Sequence, residues 1–233
     1  MNIVYENDEI LVVNKPSGKL TQGDKSFDVD LASEVMTYRR KKGEEPYGAV
    51  INRLDRPVSG LVLFAKNKKK AAQLSKLLAG ETFNKQYYAV ACGRPASKKG
   101  VFTDYLLKDG KLNQSKVVPK GTDGSKEAKL EYEVVGEVQI DDMVLTMLRI
   151  HLITGRHHQI RVQFASRGLP LAGDVKYGED TVKDIMENGR ITVGGKKLAG
   201  RNEIALCAYS LTAEGKTYTV EAPFAEIFNE EQG

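Results

Sequence analysis

The residues of this chain best suited to chemistry are a carboxylate set among cations and an arginine set among apolar side chains. Asp55 stands in NRLDRPVSGLVLFAK, between Arg53 and Arg56, just before a Ser59-Gly60 turn that feeds an apolar run. Loops entering rigid strands are where reactive groups gather, because the strand fixes one end while the loop stays open to a substrate. Neighbouring cations keep such a carboxylate ionised and ready to act as a nucleophile or base. A structural salt bridge carries the same signature, so the segment by itself leaves both readings open.

Arg161 lies in TGRHHQIRVQFASRG. Read as a helix at about 100° per residue, the segment puts Arg156, Gln159, Gln163, Ser166 and Arg167 on a polar face and Ile160, Val162, Phe164 and Ala165 on the other. Arg161 falls within the apolar arc, with His157 and His158 on the same inward side. A buried guanidinium cannot shed its charge and needs a carboxylate or phosphate partner, so the sequence asks for an acid opposite Arg161. Asp55 is the candidate. A hydrolase triad of Asp55, Ser59 and His157 or His158 lacks the G-x-S-x-G elbow, and Asp55 is too close to Ser59 in sequence to orient a distant histidine. The histidines His151, His157 and His158 form no recognisable metal set with Cys92 and Cys207, and no Gly-rich phosphate loop is present.

Positioning these side chains falls to a strand-rich framework. Residues 9–14, EILVVN, read as a short buried strand ended by the turn-forming Lys15-Pro16-Ser17-Gly18. A helix is expected over residues 29–42 and a strand over 61–66. Asn67 is placed to cap a further helix that carries Ala71, Leu74, Leu77 and Leu78 on a core-facing stripe and closes at Gly80. Lys68, Lys69 and Lys70 in its first turn oppose the helix dipole, which suggests compensation from outside, such as a polyanion. Residues 85–220 are mostly β in pattern: QYYAVACG, GVFTDYLL, KLEYEVVGEV, MVLTMLRIHLI, IALCAYSLTA and KTYTVEA are apolar or alternating runs divided by turn residues. Short connections favour antiparallel pairing, and the interspersed helices favour α+β architecture over a plain sandwich.

With 233 residues, 41% hydrophobic and 28% charged, the chain has ordinary globular composition and the length of one substantial domain, 1–233. No apolar run approaches the length of a membrane span and the N-terminus lacks a signal-peptide pattern, so a cytoplasmic protein is expected. Cys92 and Cys207, each inside a strand-like run, read as buried free thiols. The net charge of +4 is too small to argue for nucleic acid, although cations cluster at 39–42, 68–70 and 98–99 while Glu226, Glu230 and Glu231 gather near the C-terminus.

Five segments, in order, resemble the signature blocks of the RluA-type pseudouridine synthases. They are YENDEILVVNKPSG, NRLDRPVSGLVLFAK, NKQYYAVACG, TGRHHQIRVQFASRGLPLAGDVKYG, and ALCAYSLTA followed by EAPF. The resemblance spans nearly the whole chain. It implies an α+β fold: a large mixed, mainly antiparallel β-sheet flanked by helices, with a central active-site cleft and Asp55 at its floor. It implies an isomerase that needs no cofactor or metal and converts uridine to pseudouridine in structured ribosomal or transfer RNA after flipping the nucleotide out of its stack.

In that scheme Asp55 is the carboxylate that attacks the uridine, at the pyrimidine ring or at the ribose C1′. Tyr87 stacks on the uracil and helps remove the C5 proton, and Arg161 is the cation paired with Asp55. Arg53 enters the space the nucleotide leaves, and Arg56 adds a further cation beside it. Arg156 and Gln159 could meet RNA phosphates from the helix's polar face. Asn52, Val58, Gln163 and Cys207 depart from the family pattern, which bears on the branch and its RNA target. No small S4-like RNA-binding module precedes the first strand, so RNA affinity is expected from the catalytic domain itself, acting as a monomer without an obligate protein partner. The alternative is a non-catalytic RNA-binding protein or chaperone with the same fold.

Overall fold

The computed structural model describes residues 1–23, 28–78 and 83–229; Gly80, Glu230 and Glu231, singled out in the sequence, lie outside them. The first half of the chain forms β1 (Asn2–Glu6), β2 (Ile10–Lys15), α1 (Leu31–Lys41), β3 (Ala49–Val50), β4 (Ser59–Ala65), α2 (Lys68–Leu78) and β5 (Asn84–Cys92). Then follow β6 (Lys99–Asp109), β7 (Gln114–Val118), β8 (Lys126–Ile140), β9 (Met143–Leu152) and α3 (Gln159–Ala165). The chain continues with α4 (Glu179–Asp184), β10 (Arg190–Val193), β11 (Lys196–Gly200), β12 (Leu206–Ala213), β13 (Lys216–Thr219) and α5 (Glu226–Asn229). The pairing is mainly antiparallel, with β4 and β12 a parallel pair, so the sheet architecture is mixed as expected. No helix among the described residues is long and apolar enough to cross a membrane.

The backbone divides into two compact units, one of Met1–Lys85 with Cys207–Ala222 and one of Gln86–Leu206 with Pro223–Gly233. In the first, β2 and β4 pair from Ile10↔Ala65 to Lys15↔Gly60, and β1, β3, β12 and β13 extend the pairing around them. Both faces of β2 and β4 are buried, which is why these strands read as continuous apolar runs. One face packs Val12, Leu61 and Leu63 with Leu74 of α2, and Ala71, Leu77 and Leu78 close in beside it. The capping expected of Asn67 is present: its side chain accepts from the Lys70 amide at 2.8 Å. The lysine cluster that follows is compensated partly from inside the fold, since Lys70 is buried against Glu9 at 3.0 Å and Glu214 at 2.8 Å, while Lys68 and Lys69 are exposed.

In the second unit β5, β9, β8, β6 and β7 pair antiparallel in that order, and β10 and β11 form a separate hairpin. Short α3 packs on β6 and β8 through Phe164, whose ring meets Phe102 at 5.0 Å and Tyr132 at 5.7 Å. The amphipathic reading of this segment needs correction. The helix spans only Gln159–Ala165, and Gln159 and Gln163, expected on a polar face, are buried. Their amides are bonded inward: Gln159 accepts from the Thr154 hydroxyl and donates to the Lys129 carbonyl, and Gln163 donates to Asp104 and to the Ala128 carbonyl. A polar side chain goes inside when such partners are supplied, a condition that periodicity does not record.

Candidate active site

In the first unit Asp55 sits in the 52–58 loop between β3 and β4, and that loop is fastened through its backbone. Lys15, the last residue of β2, is fully buried and points its ammonium at three carbonyls, of Lys19 (2.7 Å), Pro16 (3.1 Å) and Arg56 (3.2 Å). The Ser17 hydroxyl donates to the Pro57 carbonyl at 2.6 Å, and the Gly18 amide to the Arg56 carbonyl at 2.8 Å. The turn closes on itself with the Val58 amide donating to the Asp55 carbonyl at 3.1 Å. Burial draws the Lys15 ammonium down to about 7, opposed by the negative charge of Asp55 and reinforced by the positive charge of Lys19. Asp55 is thus a half-buried carboxylate within electrostatic reach of an ammonium that has no exposure to water.

The exit from the loop needs a glycine. Gly60 has φ +115, and a Cβ there would stand 2.4 Å from the Ala208 carbonyl oxygen, so the parallel β4–β12 approach excludes any side chain. Ser59 is buried within β4 opposite Cys207, a strand position with no resemblance to a nucleophile elbow. Arg53 and Arg56 are exposed, Arg56 donating to the Gly18 carbonyl at 3.0 Å and pairing with Asp28 at 2.9 Å.

In the second unit Tyr87 lies on β5 opposite Ile150 of β9 and is 6% exposed, a ring held by strand packing. Arg161 is buried, as expected from its place in the apolar arc. Asp174 grips it with two bonds, Nε to Oδ2 at 2.7 Å and Nη2 to Oδ1 at 2.9 Å, and the Tyr177 ring lies 5.2 Å from its guanidinium carbon. The fork geometry suits a carboxylate and fixes the guanidinium plane. Gly173, at φ +87, lets the Asp174 turn pass close to the Glu203 carbonyl, which a Cβ would meet at 2.2 Å.

A polar chain ties this arginine's surroundings to the β6–β7 hairpin. The Ser115 amide donates to the Tyr177 hydroxyl at 2.8 Å, and that hydroxyl lies 2.8 Å from His158 Nδ1. The His158 imidazole is neutral: burial first, then the positive charges of Arg161, His157, Lys176 and Lys108, pulls it down to about 2. His158 takes a left-handed backbone, φ 53, and stacks on His157, whose Nδ1 meets the Ser115 hydroxyl at 2.9 Å.

Of the residues proposed to meet RNA, Arg156 is exposed and donates from Nε to the Glu127 carbonyl at 2.8 Å, while buried Gln159 accepts from the Arg156 amide at 3.0 Å. Sequence reasoning assigns no functional weight to Lys15, Asp174 or Tyr177. The signal for Lys15 is a lysine at the end of a strand buried on both faces. Asp174 and Tyr177 stand in AGDVKYG, but a turn carboxylate and a half-buried tyrosine explain that string equally well. Among the described residues no three His, Cys, Asp or Glu side chains gather as a metal site would require.

Comparison with known proteins agrees with this architecture. The family model for RNA pseudouridylate synthase matches residues 9–166. The chain is 30% identical over 184 residues to ribosomal large subunit pseudouridine synthase C of Rickettsia prowazekii, covering 79% of this chain and 57% of that one. It is 33% identical over 187 residues to the dual-specificity RNA pseudouridine synthase RluA of Vibrio parahaemolyticus, covering 80% of this chain and 72% of that one. The structure of human RNA pseudouridylate synthase domain containing 1 superposes with a TM-score of 0.73 at 20% identity, over 97% of this chain and 85% of the human one, a likeness of fold. The chain spans 57% of the length of the Rickettsia relative and 68% of an RNA pseudouridine synthase of Bacillus subtilis. With the family model covering most of its length, and the five sequence blocks lying on this framework, the chain belongs to the RNA pseudouridylate synthase family.

Proposed function

We propose that this protein isomerises uridine to pseudouridine in structured RNA, with Asp55 as the attacking carboxylate and residues 1–233 acting as one catalytic domain. The overall change breaks the bond from C1′ to N1, forms one from C1′ to C5, and moves a proton from C5 to N1, so atoms and electrons balance without a redox partner. The observation that carries the reading is the 52–58 loop, in which a half-buried carboxylate is presented on a backbone pinned by Lys15, Ser17 and Gly18. Pre-organisation of this kind is what a nucleophile needs, since it removes the cost of arranging the group during reaction.

In this reading Tyr87 stacks on the flipped uracil and helps remove the C5 proton, and Arg161 serves as the cation paired with Asp55. Arg53 fills the vacated stack, while Arg56 and Arg156 meet phosphates, with Gln159 acting through its bond to the Arg156 amide. The target is ribosomal or transfer RNA in the cytoplasm, and the relatives' names make large-subunit ribosomal RNA the first place to look.

Pseudouridine mapping of total RNA from cells lacking the protein, complemented with wild type or Asp55→Asn, tests the reading. Loss of modification at particular uridines, restored by wild type alone, is expected. An unchanged profile in the deletion would remove the catalytic reading and leave RNA crosslinking to examine the binding-only alternative.

A further inference from the structure

Two buried polar side chains beside Asp55 have no role in the reaction proposed above and, among the described residues, bond only to main chain. Thr21 is 3% exposed and its hydroxyl does two things to one residue: it donates to the Leu54 carbonyl at 2.7 Å and accepts from the Leu54 amide at 3.2 Å. Thr21 is itself held at the start of α1, where the Ala32 amide donates to its carbonyl at 3.1 Å and the Leu31 amide donates to Leu20 at 2.9 Å. A single atom therefore fastens the residue before Asp55 to a helix terminus, across a separation of 33 residues in sequence.

Asn52 fastens the other end. β3 pairs with β4 through Ala49↔Ala65 and Val50↔Phe64, and the Ile51 amide still donates to the Leu63 carbonyl at 2.9 Å. There the main chain leaves the ladder and the Asn52 side chain replaces it, accepting from the Leu63 amide at 2.8 Å and donating to the Leu61 carbonyl at 3.0 Å. A side-chain amide has the donor and acceptor of a peptide unit, so it can continue a β-ladder while the backbone turns away. The chain is thus directed off the sheet toward Asp55 from two fixed points, Asn52 and Leu54.

We infer that Thr21 and Asn52 are positioning residues for Asp55, holding the backbone on its N-terminal side at the place from which the carboxylate reacts. This rests on the reading of Asp55 as the catalytic carboxylate. It also gives Asn52, one of the departures from the family pattern, a physical role, since at 5% exposure it acts on β4 and not on RNA.

The test uses total RNA labelled with tritium at uracil C5, isolated from cells lacking the protein, and follows tritium release under single-turnover conditions with enzyme in excess. Thr21→Val keeps the shape of the side chain and removes the hydroxyl; it is expected to slow release about tenfold or more, as small misplacements of reacting groups do. RNA affinity is expected to stay at the wild-type value, and Thr21→Ser, which restores the hydroxyl, to recover most of the rate. Asn52→Leu is the second variant, expected to lower the rate with affinity unchanged while its melting point stays above the assay temperature. Wild-type rates in both Thr21→Val and Asn52→Leu would overturn the inference, as would a Thr21→Val defect that Thr21→Ser fails to rescue. Asp55→Asn separates the two levels: if it releases tritium like wild type, the catalytic reading itself fails. If it is inactive while Thr21→Val and Asn52→Leu both react at the wild-type rate, only the positioning inference fails.

Discussion

The surroundings of Asp55 and of Arg161 are held by different means. Around Asp55 the fixed points are backbone groups: the Leu54, Arg56 and Pro57 carbonyls each accept from a side chain that reaches in from elsewhere in the first unit. Around Arg161 the fixed point is the charged head itself, locked into Asp174 and faced by Tyr177. Main-chain anchoring sets where a loop runs. Head-group anchoring sets the direction of a charge and makes the pair part of the core. Loss of an anchor should therefore register mainly as rate in the first region and mainly as stability in the second.

The largest effect is expected from Asp174→Asn. Removing one partner of a buried, bidentate ion pair costs about 3–5 kcal/mol, because the guanidinium keeps its charge in a low-dielectric setting. Chemical denaturation should show that loss, with the folded fraction falling at ordinary temperature. A change below about 1 kcal/mol, the range of exposed pairs, would erase the contrast between the regions.

Acid should weaken the second unit through His158. Its folded pKa, about 2, lies below the ordinary value of 6.5, so between these values the unfolded chain binds a proton that the folded one refuses. Stability is present above about 6.5 and falls as pH drops through that window, at up to about 1.4 kcal/mol per pH unit for one proton. Denaturation midpoints measured from pH 7 to pH 4 should fall less steeply for His158→Gln than for wild type, and equal slopes would remove His158 as the cause.

Lys15 gives the first region an alkaline counterpart of the same sign. Its folded pKa of about 7 is below the ordinary 10.5, so across that interval the unfolded chain holds more protons and the Lys15 contribution to stability rises with pH. The three carbonyls around Lys15 match the three N–H donors of an ammonium, whereas a neutral amine offers two. Tritium release is thus expected to decline as pH rises above about 7 even as this stability term grows. Parallel changes in rate and stability would contradict main-chain anchoring as the source of the rate.

The smallest effect concerns the thiols. Burial raises Cys92 to about 12 and Cys207 to about 11, the latter opposed by a hydrogen bond with Ser59. Alkylation by iodoacetamide should be negligible in the native protein and complete in denaturant, with no change in tritium release after native treatment. Fast native labelling would mean that the strands carrying these residues open far more often than their packing implies.

All four departures from the family pattern are buried: Val58 at 2%, Asn52 at 5%, Gln163 at 0% and Cys207 at 1%. Their sequence positions suggest an influence on RNA choice, but their burial makes them matters of internal support. Asn52 bonds to β4, and Gln163 donates to Asp104, which also pairs with Arg167 at 3.0 Å.

Much of the framework was legible in the residues alone. Continuous apolar runs marked β2 and β4, Asn67 marked the start of α2, and the inward direction of Arg161 followed from its neighbours, because periodicity and capping are local properties of a chain. The Asp55 segment stood out through its residue types and its order among the other blocks. The short strands β1 and β7 and the β10–β11 hairpin were not read, since few residues carry their pattern and pairing supplies most of their stability. Only the tertiary structure decided that Asp174 grips Arg161 with both oxygens, that Gln159 and Gln163 turn inward, and that Thr21 brackets Leu54. Those outcomes depend on which donors and acceptors meet after the chain has folded over long sequence distances, and a buried polar group is stable only where that meeting occurs.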